Sequence, residues 1–492
     1  MIFLGIDLGT SSVKVIAVNE NGHLLGEGAA EYPIAYPKPG WAEQNPADWW
    51  QGTLEAVRKL LQNPSIQSDD IASIGFSGQM HGLVALNEAN EVLTPALLWC
   101  DQRTQAECDE ITAHFGLSGL AETVSNQALT GFTAPKLLWL KKHQPEVFSQ
   151  IKHILLPKDY IRFKLTGTYA TDYSDASGML LLDVQNKTWS KPLCDFIGIT
   201  SDMLPELYES YEVTGLVTDE ALELLGLSGI SHEIRVVGGA GDQAAGAVGT
   251  GTVKEGIVSV TLGTSGVVFA AHNQFAMDDQ LRLHAFCHAN GHYHSMGVML
   301  SAANCLKWWT DTVHADIPFE TLLAEAEAVP TTDQHVLFLP YLTGERTPYA
   351  NPDARGTFIG MTPTTTRGHF TRAILEGVAF GLKDSLEILR EIQVPMDEIR
   401  VIGGGSKSDF WLKIIATIFN LSVRRINTDQ GGALGAAILA AVGVGSFESV
   451  EDACEKIVKP LDAITPEQTE VAFYSDLYKR YQGLYKALEP WF

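Results

Sequence analysis

Two stretches of this chain repeat one tetrapeptide, each just after a short apolar run: Leu8-Gly9-Thr10-Ser11 and Leu262-Gly263-Thr264-Ser265. Gly9 and Gly263 stand 254 positions apart in 492 residues, so the two copies open halves of similar size. A glycine between two strands lets the backbone turn tightly, while free N–H groups and the Thr and Ser hydroxyls face outward as anion donors. One such turn is ordinary hairpin chemistry. Two matched copies predict a duplicated α/β fold arranged around phosphate.

The flanks of the copies differ. Asp7 precedes the first where Thr261 precedes the second, and Lys14 stands where the second copy has Val268. A turn kept only for its shape needs no flanking charges. The first copy, with Gly9, Thr10, Ser11, Ser12 and Lys14, is therefore expected to handle Mg²⁺ and a transferred phosphate, with Asp7 on the metal side. Gly263 and Thr264 are expected to support phosphates from the other half.

The order of elements repeats as well. The first half reads as strands over 3–7, 13–19 and 23–30, with Asn21-Gly22 as a type I′ turn. A helix over 46–61 follows, opened by Asn45 and Pro46, then a strand over 71–76. The second half echoes this with strands over 257–260 and 267–271, a hairpin at Asn290-Gly291, a helix over 302–312 and a strand over 399–402. Each half closes on a small-residue segment, 236–246 and 429–436. Two facing helices of Ala and Gly are expected to make a slim contact suited to a hinge. The boundary is set after Gly246, giving domains 1–246 and 247–492.

A phosphate-transfer site also needs a base for the acceptor hydroxyl. Asp242 follows Gly238-Gly239-Ala240-Gly241 and starts a helix whose dipole is expected to keep it ionised; Gln243 beside it is expected to hydrogen-bond a neighbouring hydroxyl of the substrate. Gly78-Gln79-Met80-His81-Gly82 follows a strand, so Met80 and His81 should line the C-terminal edge of the first sheet, where ligands of open α/β sheets collect. Trp99, Asp101 and Arg103 offer a flat apolar face with charged groups beside it, which suits a polyol or sugar. In the second half, Gly403-Gly404-Gly405 follows a strand and precedes Asp409 and an apolar-periodic helix over 410–419. Such a loop can lie flat under an adenine or ribose.

The formal charge of −25, from 59 acidic against 34 basic residues, argues against nucleic-acid or anionic-membrane partners. The longest weakly polar stretch, 431–445, falls short of the ~20 residues that span a bilayer. The N-terminus carries no basic region or cleavage site, so the cytoplasm is the expected location. The six cysteines show no Cys-x-x-Cys pair and read as reduced thiols. Cys287, His292 and His294 would share one face of the hairpin at Asn290-Gly291, with His284 and His288 on the other; such a set suits zinc, against the plainer reading of histidines in a half-buried strand.

The chain resembles the FGGY carbohydrate kinases of the actin/Hsp70/hexokinase ATPase superfamily. The resemblance runs through Asp7 to Ser12, Gly40-Trp41-Ala42-Glu43-Gln44, Trp49-Trp50, Gly78 to Gly82, Trp99 to Arg103, and two long signatures at 131–139 and 356–376. It implies two duplicated RNase H-like domains with ATP and sugar in the cleft between them. By that resemblance Asp242 is the proton acceptor, Met80 and His81 touch the sugar, Asp7 lies near the metal, and Gly405 and Asp409 lie by the adenosine. The glycerol-kinase residues expected at Met80-His81 are absent, which turns the reading toward a ketopentose, D-xylulose. Other sugars of the family (L-ribulose, L-fuculose, gluconate) stay open, as does a homodimer. A non-catalytic sugar sensor or ATPase is the alternative of another class.

Overall fold

The computed structural model describes residues 1–331 and 335–492. Each half is built on a seven-stranded sheet. The first runs Val213–Leu216, Arg235–Val237, Ile71–Gly78, Ile2–Leu8, Ser12–Asn19, Leu24–Glu31, with the short Ala240–Gly241 also pairing on Ile71–Gly78. The second runs His284–Cys287, Tyr293–Met299, Gly266–His272, Gly256–Leu262, Met396–Ile402, Val423–Ile426, Pro460–Ile464. Both share one plan: three antiparallel strands, consecutive in the first half and with His284–Cys287 interposed in sequence in the second, whose first strand pairs in parallel with a strand arriving by a long crossover. Every residue of Ile2–Leu8 except Asp7 is buried, as befits a central strand covered on both faces. The repeat therefore forms the duplicated α/β architecture expected of it.

The helix Pro46–Leu60 opens as its sequence dictates. Asn45 caps it by accepting from Ala47 N, and Pro46 sits where no N–H is needed. Its buried residues, among them Trp49, Leu54, Val57 and Leu60, close the first core over the meander.

Three turns depart from expectation. The two Leu-Gly-Thr-Ser turns are not the same length. Leu8 pairs with Val13, and Gly9 N donates to Ser12 O at 2.9 Å around a two-residue tip; Leu262 pairs with Gly266, and Gly263 N donates to Ser265 O at 3.1 Å around Thr264 alone. Lys14 consequently faces Asp7, whereas Val268 faces Val260 and Thr261 faces Val267. Neither Asn-Gly hairpin is type I′, which needs positive φ at both central residues. Only Gly22 and Gly291 are left-handed. The preceding loops are set by side-chain hydrogen bonds: Asn19 Oδ1 accepts from Asn21 N and His23 N, and Asn290 Oδ1 accepts from His292 N.

The small-residue helices do meet. Asp242–Gly249 and Gly431–Gly443 pass in opposite directions so closely that a Cβ on Gly435 would lie 1.8 Å from the Ala245 carbonyl oxygen, and one on Gly249 2.0 Å from that of Gly431. The contact is broader than the slim junction expected. Gly431–Gly443 also lies on the first sheet, where a Cβ on Gly5 or Gly75 would meet the Ala433 or Ala436 carbonyl oxygen at 2.0 and 2.1 Å. A core drawn from both halves, including Phe3, Ile16, Val248, Ile438 and Val450, surrounds it. Position 246 lies inside the helix Asp242–Gly249.

Candidate active site

The central strands of the first sheet end together. Asp7 lies beside Ser77, and Gly241 pairs with Gly78, so the chain leaves the sheet edge and Asp242 becomes the first residue of the helix Asp242–Gly249. Ser77 Oγ donates to Asp7 Oδ1 at 2.7 Å. Burial raises the Asp7 carboxyl above the ordinary carboxylate range, against the pull of Ser77 and Lys14. Burial, then the nearby charge of Asp7, pushes Asp242 up to about 7. The helix start does not hold Asp242 within the ordinary carboxylate range: a helix N-terminus supplies about 0.3–1 kcal/mol at most sites, less than the loss of water takes away. Gln243 Nε2 sits 3.4 Å from Asp242 Oδ1. The second half reaches the same point, since a Cβ on Gly432 would lie 2.5 Å from Ser77 Oγ and 3.2 Å from Asp7 Oδ1.

Met80 and His81 stand next to this pair. Met80 is buried, and a side chain at Gly241 would strike its Cγ and Sδ at 2.9 and 3.0 Å, so the glycine before Asp242 is what admits the methionine. His81 takes a left-handed φ of 69°, and its Nδ1 is 2.6 Å from the Gly178 carbonyl oxygen. Its own carbonyl accepts from Thr133 Oγ1 at 3.0 Å and from the buried Lys136 Nζ at 2.9 Å. Burial lowers the His81 imidazole to about 3, helped by Lys136 and by Arg346 of the second half. A neutral imidazole walled by Phe132 results, its ring centroid 4.8 Å away.

The Trp-x-Asp-x-Arg group divides. Trp99 is exposed and donates through Nε1 to Thr10 Oγ1 at 3.0 Å, which ties it to the first turn. Asp101 is fully buried; Ala42 N and the Arg103 backbone and guanidinium occupy both its oxygens. It anchors Arg103 over the Trp41 ring at 3.6 Å and presents no oxygen to a ligand, contrary to expectation.

The first turn is braced from beneath by residues that its own sequence does not reveal. Tyr32 OH donates to Gly9 O at 2.6 Å and Gln44 Nε2 to Thr10 O at 2.7 Å, leaving Ser11 exposed at the tip with Ser12 beside it. Lys14 bonds Gln430 and pairs with Glu27 at 3.2 Å. On the facing side, the carbonyls of Gly263 and Thr264 accept from Ala303 N and Ala302 N, both at 2.9 Å, and Thr264 is exposed. A Cβ on Gly403 would lie 2.6 Å from Leu262 O, so the triple-glycine loop abuts this turn.

Beyond that loop opens a cavity of about 850 Å³. Gly404 and Gly405 form one side; Ala303, Leu306, Thr310, Phe319 and Leu323 form the apolar other. That second wall, from Ala303–Trp308 and the segment after it, was foreseeable only as a helix. Asp409 begins the helix Asp409–Phe419 behind Ser408, is 83 % exposed, and pairs with Arg425 at 2.5 Å.

The Cys/His group does not assemble as expected. The loop 289–291 is one residue longer than a two-residue turn, so Cys287 faces Tyr293 and His294 faces Phe286. His294 is stacked on Phe269 at 4.1 Å, and Cys287 Sγ lies 3.7 Å from the Val184 carbonyl oxygen. Among the described residues, no three His, Cys, Asp or Glu side chains gather to hold a metal.

The fold and the residues it gathers are those of a family of sugar kinases. Residues 2–249 match the N-terminal domain of the FGGY family of carbohydrate kinases and residues 258–444 its C-terminal domain; the chain belongs to that family. It is 42 % identical over 483 residues to the xylulose kinase of Bacillus subtilis (strain 168), covering 98 % of this chain and 96 % of that one. A solved structure described as a xyloylose kinase from Brucella ovis superposes with a TM-score of 0.94 at 37 % identity over all of both chains. A gluconate kinase from Lactobacillus acidophilus gives the same TM-score at 28 % identity, covering 99 % of this chain and 98 % of that one.

Proposed function

We propose that this carbohydrate kinase transfers the γ-phosphate of ATP to the terminal hydroxyl of D-xylulose, giving D-xylulose 5-phosphate and ADP. The observation that carries the reaction is Asp242: a carboxylate held at about 7, beside Met80 and His81 at the junction of the two halves. A base with that affinity takes a proton well near neutral pH. The substrate rests on the xylulose kinases to which the chain is similar over nearly its full length.

In this reading the sugar lies against Met80, His81 and Trp99, with Gln243 beside the reacting hydroxyl. Asp242 accepts the hydroxyl proton as the oxygen attacks the γ-phosphorus in line. The exposed tips of the two turns, Thr10, Ser11 and Ser12 on one side and Gly263 and Thr264 on the other, offer backbone and hydroxyl donors to the phosphates. The adenosine occupies the cavity between Gly404-Gly405 and the Ala303–Leu323 wall. Lys14 and Asp409 act at the edges of this nucleotide site, through Gln430 and Arg425.

Asp7 and Asp242 fit Mg²⁺, being two carboxylates that burial holds above their ordinary range, with no cationic side chain among the described residues bonded to either. The ion would supply charge to the phosphate oxygens when bound. Closure of the halves keeps water from the γ-phosphate. An ATP-consuming step on a small sugar supports a cytoplasmic location.

The test is kcat/KM for D-xylulose, L-ribulose, L-fuculose, gluconate and glycerol, read by ADP release. D-Xylulose is expected to lead by at least tenfold. The likeness to a gluconate kinase makes gluconate the second reading, and a panel led by gluconate would establish it over the first. Sugar-independent ATP hydrolysis at the full rate would remove both.

A further inference from the structure

Behind Asp242 lies a cluster of charge that the chemistry above does not use. Lys158 Nζ is 2.7 Å from Asp159, 2.8 Å from Asp172 and 3.3 Å from Asp175, and Arg162 is 2.8 Å from Asp159; all five side chains are at most 1 % exposed. Three carboxylates against two cations in a dry interior are costly to keep. Asp172 does more than answer Lys158. Its Oδ2 accepts from Ser174 N at 2.9 Å, Ser174 Oγ at 2.5 Å and Ser210 Oγ at 2.7 Å.

Each of those serines holds the strand end that delivers Asp242. Ser174 Oγ accepts from Gly241 N at 3.2 Å, and the Ser210 carbonyl accepts from Gly239 N at 2.8 Å. The segment between them is Gly238-Gly239-Ala240-Gly241, with Gly239 at a φ of 70°. Three glycines in four residues give a backbone little preference of its own. Its path has to be imposed from outside: Ala240 and Gly241 pair along Ile71–Gly78, Gly238 N donates to Glu212 O at 2.9 Å, and the two serines hold the N–H groups of Gly239 and Gly241.

We infer that Asp172 is a positioning residue for the proposed base: by fixing Ser174 and Ser210 it holds the N–H groups of Gly241 and Gly239, and so aims the Asp242 carboxylate at the acceptor hydroxyl. The inference rests on the reading of Asp242 as that base. Misplacement of a reacting group by about 1 Å can cost on the order of 10² in rate.

The test is Ser174→Ala, which removes the link to Gly241 and leaves every charge in place. Its kcat is expected to fall about tenfold or more, with KM for sugar and for ATP within about twofold and the thermal midpoint nearly unchanged; Ser174→Thr, which restores a hydroxyl, recovers most of the rate. Ser210→Ala frees the other arm from Asp172 and gives a smaller fall of the same kind, and it decides the matter should Ser174→Ala not fold. A wild-type kcat in the folded alanine variants overturns the inference, as does a loss that only follows the folded fraction. An active Asp242→Asn instead overturns the reading of the base; an inactive Asp242→Asn beside a fully active Ser174→Ala overturns the positioning role alone.

Discussion

Asp242 carries two opposed demands. A carboxylate moved from its ordinary 3.8 to about 7 destabilises the fold at neutral pH, by up to about 4 kcal/mol. The sign follows from proton binding: the folded state keeps its proton where the unfolded chain has lost it, so this stability is present below 3.8 and is lost as pH rises through 7. Asp242→Asn should therefore raise the thermal midpoint at pH 8 in metal-free buffer, with the gain shrinking toward pH 4, while kcat falls by ~10² to 10⁴. Calorimetry and ADP release on one sample check both. In the unaltered enzyme, kcat/KM for the sugar should climb with pH as Asp242 gives up its proton, with a midpoint that bound Mg²⁺ draws below that of the metal-free site. Asp7→Ala should lose Mg²⁺-dependent turnover and keep its fold by circular dichroism; an active variant moves the metal elsewhere. The polar residues that support Asp242 and the first turn were hard to foresee from sequence. Ser174, Ser210, Tyr32 and Gln44 are ordinary surface-type residues, and only their hydrogen bonds mark them out. Asp7, Met80, His81 and Asp242 were legible because each lies at or just past the end of a strand beside a glycine, a pattern local in sequence.

At the level of elements, what could be read was what depends on neighbours in the chain. Asn45-Pro46 announced a helix start and the alternating apolar runs announced strands, since capping and pleat act within a few residues. The two Asn-Gly hairpins turn through one residue more than the pair predicts, because the choice of loop rests on side-chain bonds such as those of Asn19 and Asn290, not on the Asn-Gly pair itself. That one-residue difference also decided which side chains met across the His284–Cys287 hairpin. The paired small-residue helices make a sharper prediction. Gly435→Ala would drive a methyl into the Ala245 carbonyl and should lower the thermal midpoint by several degrees, a cost of at least about 1–3 kcal/mol. Gly246→Ala, in the same pair but with no heavy atom within 4 Å of its added Cβ, should gain about 0.5–1 kcal/mol from helix propensity. Equal effects in the two variants would show that the packing described is wrong. In the nucleotide cavity, a Cβ on Gly405 would meet Trp411 at 2.8 Å and Leu262 Cβ at 2.9 Å, so Gly405→Ala should raise KM for ATP severalfold with KM for the sugar unchanged.

On the scale of the whole molecule, the duplication is plain in sequence and in fold, yet the two halves no longer stand apart. Gly431–Gly443 belongs by sequence to the second half and lies by packing on the first, at Gly5 and Gly75. Chain order reveals the repeat but not this crossing, because the contact joins residues more than 350 positions apart. The crossing makes the molecule indivisible. A fragment ending near 249 would leave Gly5, Gly75, Phe3 and Ile16 facing water with nothing sized to replace the missing helix, and a fragment from the second half would carry an all-apolar helix with no floor beneath it. In a molecule built from two copies of one motif, each copy thus needs the other to complete its core.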